Sequence, residues 1–256
     1  MLLAAMCCLN ASAKTLTITS EPAENAAATD KKMVEAYMKV EPFETITIDL
    51  VLSVRFVQAD KYCVEAQGTE RLIKAIDIKV KDGQMTITSD KHYKINRGEK
   101  LPLTIYSPTL SRIVLNGVGN VRIPDKLETK FMEVVNNGVG NIRFYDLQCD
   151  ELIVKSTGVG NIELAGRTEK IIITSDGVGM HTGKVQAGKR LSHGCIRTPN
   201  MVSKVTNVQM DGVGSIHCYA SERIDCTNDG VGSIFYKGNP TIEHVRKTGV
   251  GSIKSK

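Results

Sequence analysis

The sequence predicts an all-β protein: a right-handed parallel β-helix (solenoid) of about eight rungs, preceded by a less regular β-rich part. Two observations carry this prediction. The tripeptide Gly-Val-Gly recurs seven times, and its copies begin at Gly117, Gly138, Gly158, Gly177, Gly212, Gly230 and Gly249. The 256-residue chain is 41% hydrophobic but only 5% aromatic, with 22 glycines and no tryptophan. A repeat of about 20 residues with short Val- and Ile-rich runs between glycines is typical of stacked strands, not of a helical repeat.

The N-terminus has the features of an export signal. Residues 1–13 carry no charge and end in Ala11-Ser12-Ala13, which fits the small-x-small rule for signal-peptide cleavage. We therefore expect residues 1–13 to be a signal peptide, residues 14–39 to be an extension or linker, and residues 40–256 to be the β-helical domain. No later apolar run approaches the roughly 18 residues that a transmembrane helix needs.

The segment before the repeats also predicts strands, which we expect to continue into the solenoid or to cap it. Residues 43–52 and 53–58 alternate in polarity, and Asp82-Gly83 indicates a β-hairpin turn. Residues 69–76 are the best candidate for a short helix.

Charge and cysteine content narrow the functional classes. The net charge of +5 is modest and the basic residues are interspersed with acidic ones, which does not indicate a nucleic-acid-binding surface. The histidines and cysteines lack metal-ligand spacing, so the sequence predicts no metal and no cofactor. After signal removal five cysteines remain, which are Cys63, Cys149, Cys195, Cys218 and Cys226. The number is odd, and the sequence leaves their pairing open, including a bridge between Cys218 and Cys226.

Aligning the copies on their first glycine gives columns of distinct chemistry. A polar residue precedes the glycine, valine follows it, and Asn or Ser comes after the second glycine. An Ile or Val comes next, and the residue after it is expected to face outward. We expect the valine and isoleucine columns to fill the solenoid interior. Stacked Asn and Ser side chains are expected to bond from rung to rung.

One interval between copies is about twice as long as the others, from Gly177 to Gly212. It predicts a degenerate eighth rung at Ser192-His193-Gly194-Cys195-Ile196. His193 would then lie in the polar column and Cys195 in the valine column.

With these residues in view, the chain resembles the bacterial GIN-domain family, described as putative auto-transporter adhesin head domains. The repeated Gly-Val-Gly-Asn/Ser-Ile and the segment from Asp229 to Pro240 carry the resemblance, which extends from about Val40 to Lys256. It implies an exported, β-helical, non-enzymatic protein of the periplasm or cell surface of a Gram-negative bacterium. Its partner would be a cell-envelope component, a protein or a glycan, and a homo-oligomer stays open.

A second, local resemblance competes. The segment from His181 to Arg197, with Ser-His-Gly-Cys-Ile-Arg at its end, resembles the active-site stretch of L,D-transpeptidases, which cross-link peptidoglycan. The resemblance implies Cys195 as nucleophile and His193 as base, with His181 and Arg197 lining the site and Ser192 orienting His193.

The register of the predicted eighth rung favours a structural role for these residues. The interval from Gly177 to Gly212 is also too short for a catalytic domain. We therefore predict a non-enzymatic interaction protein with no catalytic residues, and keep a transpeptidase-like enzyme as the alternative. A factor that binds small ligands along its outer columns is a third hypothesis.

Overall fold

The computed structural model describes residues 16–19, 33–89, 101–177, 182–185, 189–192 and 195–255, with side chains at 34–89, 101–177 and 201–255. Nineteen strands form one curled sheet with parallel and antiparallel pairs, and two more strands form a separate hairpin. One short helix accompanies them in the described part of the chain. The prediction of an all-β fold is confirmed.

Among the described residues before the repeats there are nine strands and the helix. Their bounds are β1 Leu16–Thr19, β2 Met33–Lys39, β3 Thr45–Ile48, β4 Val51–Gln58, β5 Cys63–Thr69, α1 Glu70–Lys74, β6 Ile76–Lys81, β7 Gln84–Ser89, β8 Pro102–Ser107 and β9 Arg112–Leu115. Strands β1, β2, β5 and β8 pair antiparallel in that order. Strands β1 and β2 thus bring parts of the expected linker into the sheet.

Local sequence signals determine two features of this part. The Thr69 hydroxyl accepts a hydrogen bond from the Leu72 amide (3.3 Å) and so caps α1, while Leu72 and Ile73 are buried. The turn between β6 and β7 has positive φ at Asp82 (50°) and Gly83 (74°), as a tight hairpin turn requires. The predicted helix and hairpin are both confirmed.

The repeats form long strands. Their bounds are β10 Val118–Glu128, β11 Phe131–Asn136, β12 Val139–Ser156, β13 Ile162–Ser175, β14 Thr182–Val185, β15 Lys189–Ser192, β16 Cys195–Met210, β17 Val213–Tyr219, β18 Arg223–Asn228, β19 Val231–Lys237, β20 Thr241–Lys247 and β21 Ile253–Ser255. Successive repeats pair in parallel, and equivalent columns face each other, as in Val118 with Val139 and Asn120 with Asn141. We call each such repeat a rung.

The glycines are explained by the close approach of one rung to the next. A Cβ atom on Gly138 would lie 2.1 Å from the carbonyl oxygen of Gly117, and one on Gly140 would lie 1.7 Å from that of Gly119. Gly160 also has a φ of 140°, which disfavours any side chain. Both glycine columns therefore have a steric cause.

The predicted eighth rung at Ser192–Ile196 is wrong. Gly212 stacks directly on Gly177, whose carbonyl oxygen accepts a hydrogen bond from the Val213 amide at 2.9 Å. The extra residues of the long interval are an insertion that contains the antiparallel hairpin of β14 and β15. The long interval reflects this insertion and not a hidden copy.

A degenerate rung does exist, at the N-terminal end of the stack. Residues 51–55 pair in parallel with 118–122, so that Val51, Ser53 and Val54 lie beside Val118, Asn120 and Val121. Leucines 50 and 52 take the places of the two glycines and are buried.

The core confirms the inward position of the isoleucine column. Five of its members are at most 1% exposed, which are Val121, Ile142, Ile162, Ile216 and Ile234. Burial of each such side chain contributes roughly 1.5–3 kcal/mol to folding before the entropy cost. Because side chains alternate along a strand, the residues directly before and after each member of this column point to the opposite, outer face.

Candidate functional site

The valines of the Gly-Val-Gly copies face outward wherever the structure describes their side chains, and Val51 of the degenerate rung does so too. Val51, Val118, Val139 and Val231 are 44–50% exposed, and Val250 is 70% exposed. The prediction that they fill the interior is wrong, because strand alternation places Val118 on the same face as Arg122 and opposite Val121. We call Val51, Val118, Val139, Val159, Val213, Val231 and Val250 the valine ladder.

A second ladder of amides and hydroxyls runs beside it. It comprises Ser53, Asn120, Asn141, Asn161, Ser215, Ser233 and Ser252. The Asn141 side-chain amide donates to Asn120 Oδ1 at 2.9 Å, and that of Asn161 donates to Asn141 Oδ1 at 3.1 Å. The expected rung-to-rung bonding is thus confirmed for this amide ladder.

The third outward column is rich in charge and aromatic rings. Its described side chains are Arg55, Arg122, Arg143, Glu163, His217, Phe235 and Lys254. Their outward position agrees with the sequence-based expectation. We call this column the charged ladder and the three columns together the outer face.

Two of the three stacked arginines are neutralised by neighbours. Arg55 Nη2 lies 3.3 Å from Asp125 Oδ2, and Arg143 Nη2 lies 2.5 Å from Glu163 Oε2. Arg122 lies between them, is exposed, and makes no ion pair with any described residue. It is therefore an accessible guanidinium on the outer face.

Aromatic side chains flank the charged ladder. The rings of His217 and Phe235 stack at 4.8 Å on neighbouring rungs. On the earlier rungs Arg143 lies 5.8 Å from the centre of the Tyr145 ring, and Arg143 Nη1 donates to its hydroxyl at 3.4 Å. The aromatic surface thus differs between the two ends of the stack.

A fourth ladder lies at the turn before the first glycine. Asn116 donates to Asp49 (2.6 Å), Asn137 donates to Asn116 (3.0 Å), and Thr157 donates to Asn137 (2.9 Å). Farther along, the column becomes acidic with Asp176, Asp211 and Asp229 and ends at Thr248. We call this column the turn ladder.

The acidic part of the turn ladder is electrostatically crowded. Partial burial raises the pKa of Asp176 above its ordinary value, and the neighbouring Asp211 carboxyl raises it further. Asp176 and Asp211 therefore form a pair of neighbouring carboxyl groups on adjacent rungs.

A shallow groove follows the first four rungs between the turn ladder and the valine ladder. Its volume is about 450 Å³. Its lining consists of Asp49 to Val51, Asn116 to Val118, Asn137 to Val139 and Thr157 to Val159. Because glycine lacks a side chain, the groove floor is backbone and its walls are the two ladders.

The residues of the transpeptidase-like motif are only partly described. His181 and His193 lie outside the described residues. Ser192 pairs with Thr182 in the inserted hairpin, while Cys195 and Arg197 pair with Ser215 and His217 at the start of β16. Cys195 therefore occupies the Asn/Ser column, and its predicted place in the valine column is wrong because the insertion ends just before it.

The four cysteines whose side chains the structure describes are buried thiols without disulfides: Cys63, Cys149, Cys218 and Cys226. Burial raises the pKa of Cys149 to about 11 and that of Cys226 to about 12, and it also raises the pKa of Cys218. Thiols with raised pKa values are poor nucleophiles at neutral pH.

Two further kinds of site are clusters of metal ligands and membrane-spanning helices. Within the described residues, no three His, Cys, Asp or Glu side chains converge as metal ligands would. No helix in the described part of the chain is long and apolar enough to cross a bilayer.

Comparison with solved structures gives similar folds. A crystal structure of a "putative adhesin" from Bacteroides fragilis has a TM-score of 0.79 and 33% identity, covering 89% of this chain and 99% of that one. A "putative adhesin" from Parabacteroides merdae has a TM-score of 0.64 and 19% identity, covering 87% and 96%. A "putative lipid binding protein" from Parabacteroides distasonis has a TM-score of 0.65 and 19% identity, covering 88% and 96%. The last two show likeness of fold alone.

Sequence comparison identifies the family. No curated protein matches the chain significantly. The family profile described as "Putative auto-transporter adhesin, head GIN domain" matches residues 42–240, which span most of the strands and every feature of the outer face except its last rung. Together with the 33% identity to the Bacteroides fragilis protein, this match shows that the chain belongs to the GIN-domain family of adhesin-like proteins.

Proposed function

We propose that this chain is an exported, non-enzymatic interaction module of the cell surface or periplasm of a Gram-negative bacterium. Its rungs would form a right-handed parallel β-helix, and its outer face would bind an extended partner. Residues 1–13 would be the signal peptide, and the mature chain would begin at Lys14. Membership of an adhesin-like family supports the location and the class of function.

The observation that carries the proposal is the register of the outer face. Valine and an Asn or Ser side chain recur in register on successive rungs, so that these two columns present one pattern repeatedly along the stack. Exposed apolar side chains next to polar ones mark interaction surfaces. A surface with a translational repeat suits a partner that is itself extended and repetitive.

A surface-retention assay tests this function. The full mature chain is coupled to beads and exposed to intact cells, peptidoglycan sacculi, insoluble polysaccharides and glycoprotein-coated surfaces. Val139→Asp places a charge in the groove, whereas Val202→Asp makes the same change at a valine that is 42% exposed on a different strand segment. We expect retention to fall for Val139→Asp and to persist for Val202→Asp. Equal retention for both variants, or no retention of wild type on any material, contradicts the proposal.

A cysteine L,D-transpeptidase-like activity centred on Cys195 is the second candidate. The observation in its favour is that the motif accompanies an insertion, with Cys195 at the point where the inserted hairpin returns to the rung. Cys195 would be the nucleophile and His193 its base. Thiol labelling of folded protein at mildly acidic pH tests it, since an activated thiolate reacts there while a thiol of ordinary pKa, about 8.5, does not. Rapid labelling that disappears in Cys195→Ala supports the enzyme, and labelling only above neutral pH contradicts it.

A further inference from the structure

We propose that the first four rungs of the outer face bind a linear anionic polysaccharide that lies along the stack and places an acidic group at Arg122. This inference deepens the proposed function and rests on it. Four observations support it: the spacing of the ladders, their chemistry, the accessible guanidinium, and the distribution of acidic groups along the turn ladder.

The spacing favours a glycan over a polypeptide. Parallel strands stack at roughly 4.8 Å, so a ligand that crosses the rungs meets equivalent side chains at that interval. An extended polypeptide advances by about 3.4 Å per residue, or about 6.8 Å between side chains on one face, and neither distance matches. The length of one sugar unit in an extended β-1,4-linked chain is close to the rung spacing.

The ladder chemistry suits pyranose rings. The C–H faces of a sugar can pack on exposed valine methyl groups, and three of the four valines of these rungs are 44–50% exposed. Each asparagine amide has two N–H donors, and the bond from Asn141 to Asn120 uses one of them. The second N–H of Asn141 and the amide group of Asn120 are thus available to sugar hydroxyls on successive rungs.

The charge favours an acidic glycan. Arg55 and Arg143 are paired with Asp125 and Glu163, so only Arg122 of the three stacked arginines has no ion pair with a described residue. A guanidinium binds a carboxylate or sulfate through two parallel hydrogen bonds. One acidic group per bound segment is therefore held at the centre of the arginine stack.

The turn ladder restricts the ligand to the first rungs. Beside the groove it consists of Asp49, which is hydrogen-bonded by Asn116, and of the neutral Asn137 and Thr157. On the following rungs Asp176 lies beside Asp211, and partial burial together with the Asp211 carboxyl raises the pKa of Asp176. A polyanion therefore meets one carboxylate of the turn ladder on the first four rungs, Asp49, and three on the later ones, Asp176, Asp211 and Asp229.

A matched pair of oligosaccharides tests the proposal. The β-1,4-linked glucuronic acid hexamer and cellohexaose differ only in having a carboxylate or a hydroxymethyl group on each ring. Binding to the full mature chain is measured by isothermal titration calorimetry at low and at physiological ionic strength. We expect the acidic hexamer to bind at least about tenfold more tightly than cellohexaose, with an affinity that falls as salt rises.

Variants assign the site. Arg122→Gln should weaken the acidic hexamer by about tenfold, as loss of a charge-assisted contact does. Arg167→Gln removes the same charge from an exposed position on β13, off the outer face, and should leave binding unchanged. Circular dichroism melting curves that coincide with wild type establish that each variant is folded.

Several outcomes would overturn the inference. Equal binding of cellohexaose refutes the requirement for charge, and wild-type affinity in Arg122→Gln refutes the site. Poly-glutamate binding as tightly as the acidic hexamer refutes the spacing argument and favours a protein partner. If the acidic hexamer does not bind while beads still show retention that Val139→Asp abolishes, the glycan inference fails and the proposed function stands. If retention is absent as well, both fail.

Discussion

Replacing Gly138 with alanine places a methyl group against the neighbouring rung. The new Cβ atom would lie 2.1 Å from the carbonyl oxygen of Gly117 and 2.7 Å from the carbonyl carbon of Asn116. Non-bonded heavy atoms prefer about 3.5 Å or more, so the rungs must separate locally by more than about 1 Å. That movement disrupts the bonds from Val139 to Gly117 (3.0 Å) and from Gly138 to Leu115 (2.8 Å).

The expected loss of stability follows from these contacts. Two weakened backbone hydrogen bonds cost about 2 kcal/mol and overpacking costs about 1–3 kcal/mol, so the free energy of unfolding should fall by about 3–5 kcal/mol. The melting temperature should then fall by roughly 10 °C for a chain of this size.

Urea denaturation followed by far-ultraviolet circular dichroism measures the effect of Gly138→Ala, with Val139→Ala as the matched control. Val139 is 44% exposed, so its truncation should cost less than about 1 kcal/mol. A wild-type urea midpoint for Gly138→Ala would refute the stacking argument. A larger loss for Val139→Ala than for Gly138→Ala would place the valine ladder in the core after all.

Two further predictions concern the first rung of the stack and the acidic part of the turn ladder. Leu52→Gly gives the first rung the second glycine of the repeat, yet it should destabilise the protein by about 3 kcal/mol in the same urea assay, because Leu52 is buried. Unchanged or greater stability would contradict this account of the terminal rung. Asp176→Asn should raise the urea midpoint at neutral pH. The pKa of Asp176 is raised in the folded state by partial burial and by Asp211. Its carboxyl therefore contributes most to stability when it is protonated. This contribution is lost as the pH rises through the raised pKa. The gain should vanish below about pH 3, where both states hold the proton, and a gain that is independent of pH would refute the electrostatic cause.

The features that the sequence predicted correctly depend on local physics. The isoleucine column faces inward because strand alternation and burial act together on each rung. The Asp82-Gly83 turn and the short helix within residues 69–76 were identifiable because their conformations are set by the residues that occupy them. These signals need no knowledge of which segments meet in space.

The features that were wrong depend on long-range stacking. An interval of double length is produced equally by a degenerate rung and by an insertion, and a glycine near Cys195 fell by chance close to the repeat spacing. The true degenerate rung lacks glycine because the steric requirement comes from the carbonyl of a preceding rung. In the described residues no preceding rung pairs with Leu50 or Leu52. No scan for glycine could have located it.

The inward position predicted for the valine ladder was wrong for a different reason, although the alternation of side chains along the strand indicates an outward position. Val118, Asn120 and Arg122 are separated by two residues each, so they must share one face, and Val121 must lie on the other. Valine is an apolar residue type that predicts burial, whereas its position on the strand determines which face it occupies. In the Cys195 motif, Ile196 and Arg197 lie in their predicted columns, whereas Cys195 lies in the Asn/Ser column and not in the valine column. The enzymatic alternative therefore requires a chemical test.

The repeats also separate structural from functional constraints within one chain. The glycine and isoleucine columns are fixed by the approach of neighbouring rungs and by the core, so their recurrence needs no ligand. The outer columns are free of both constraints, and the charged ladder accordingly varies from Arg122 to Glu163 and Phe235. Valine nevertheless recurs in all seven Gly-Val-Gly copies of the sequence, and it lies on the outer face wherever the structure describes its side chain. Cross-strand packing accounts for a β-branched residue there but not for an apolar one, since threonine has the same shape and suits strands equally. The proposed apolar contact with a partner along the groove would account for the recurrence of exposed valine.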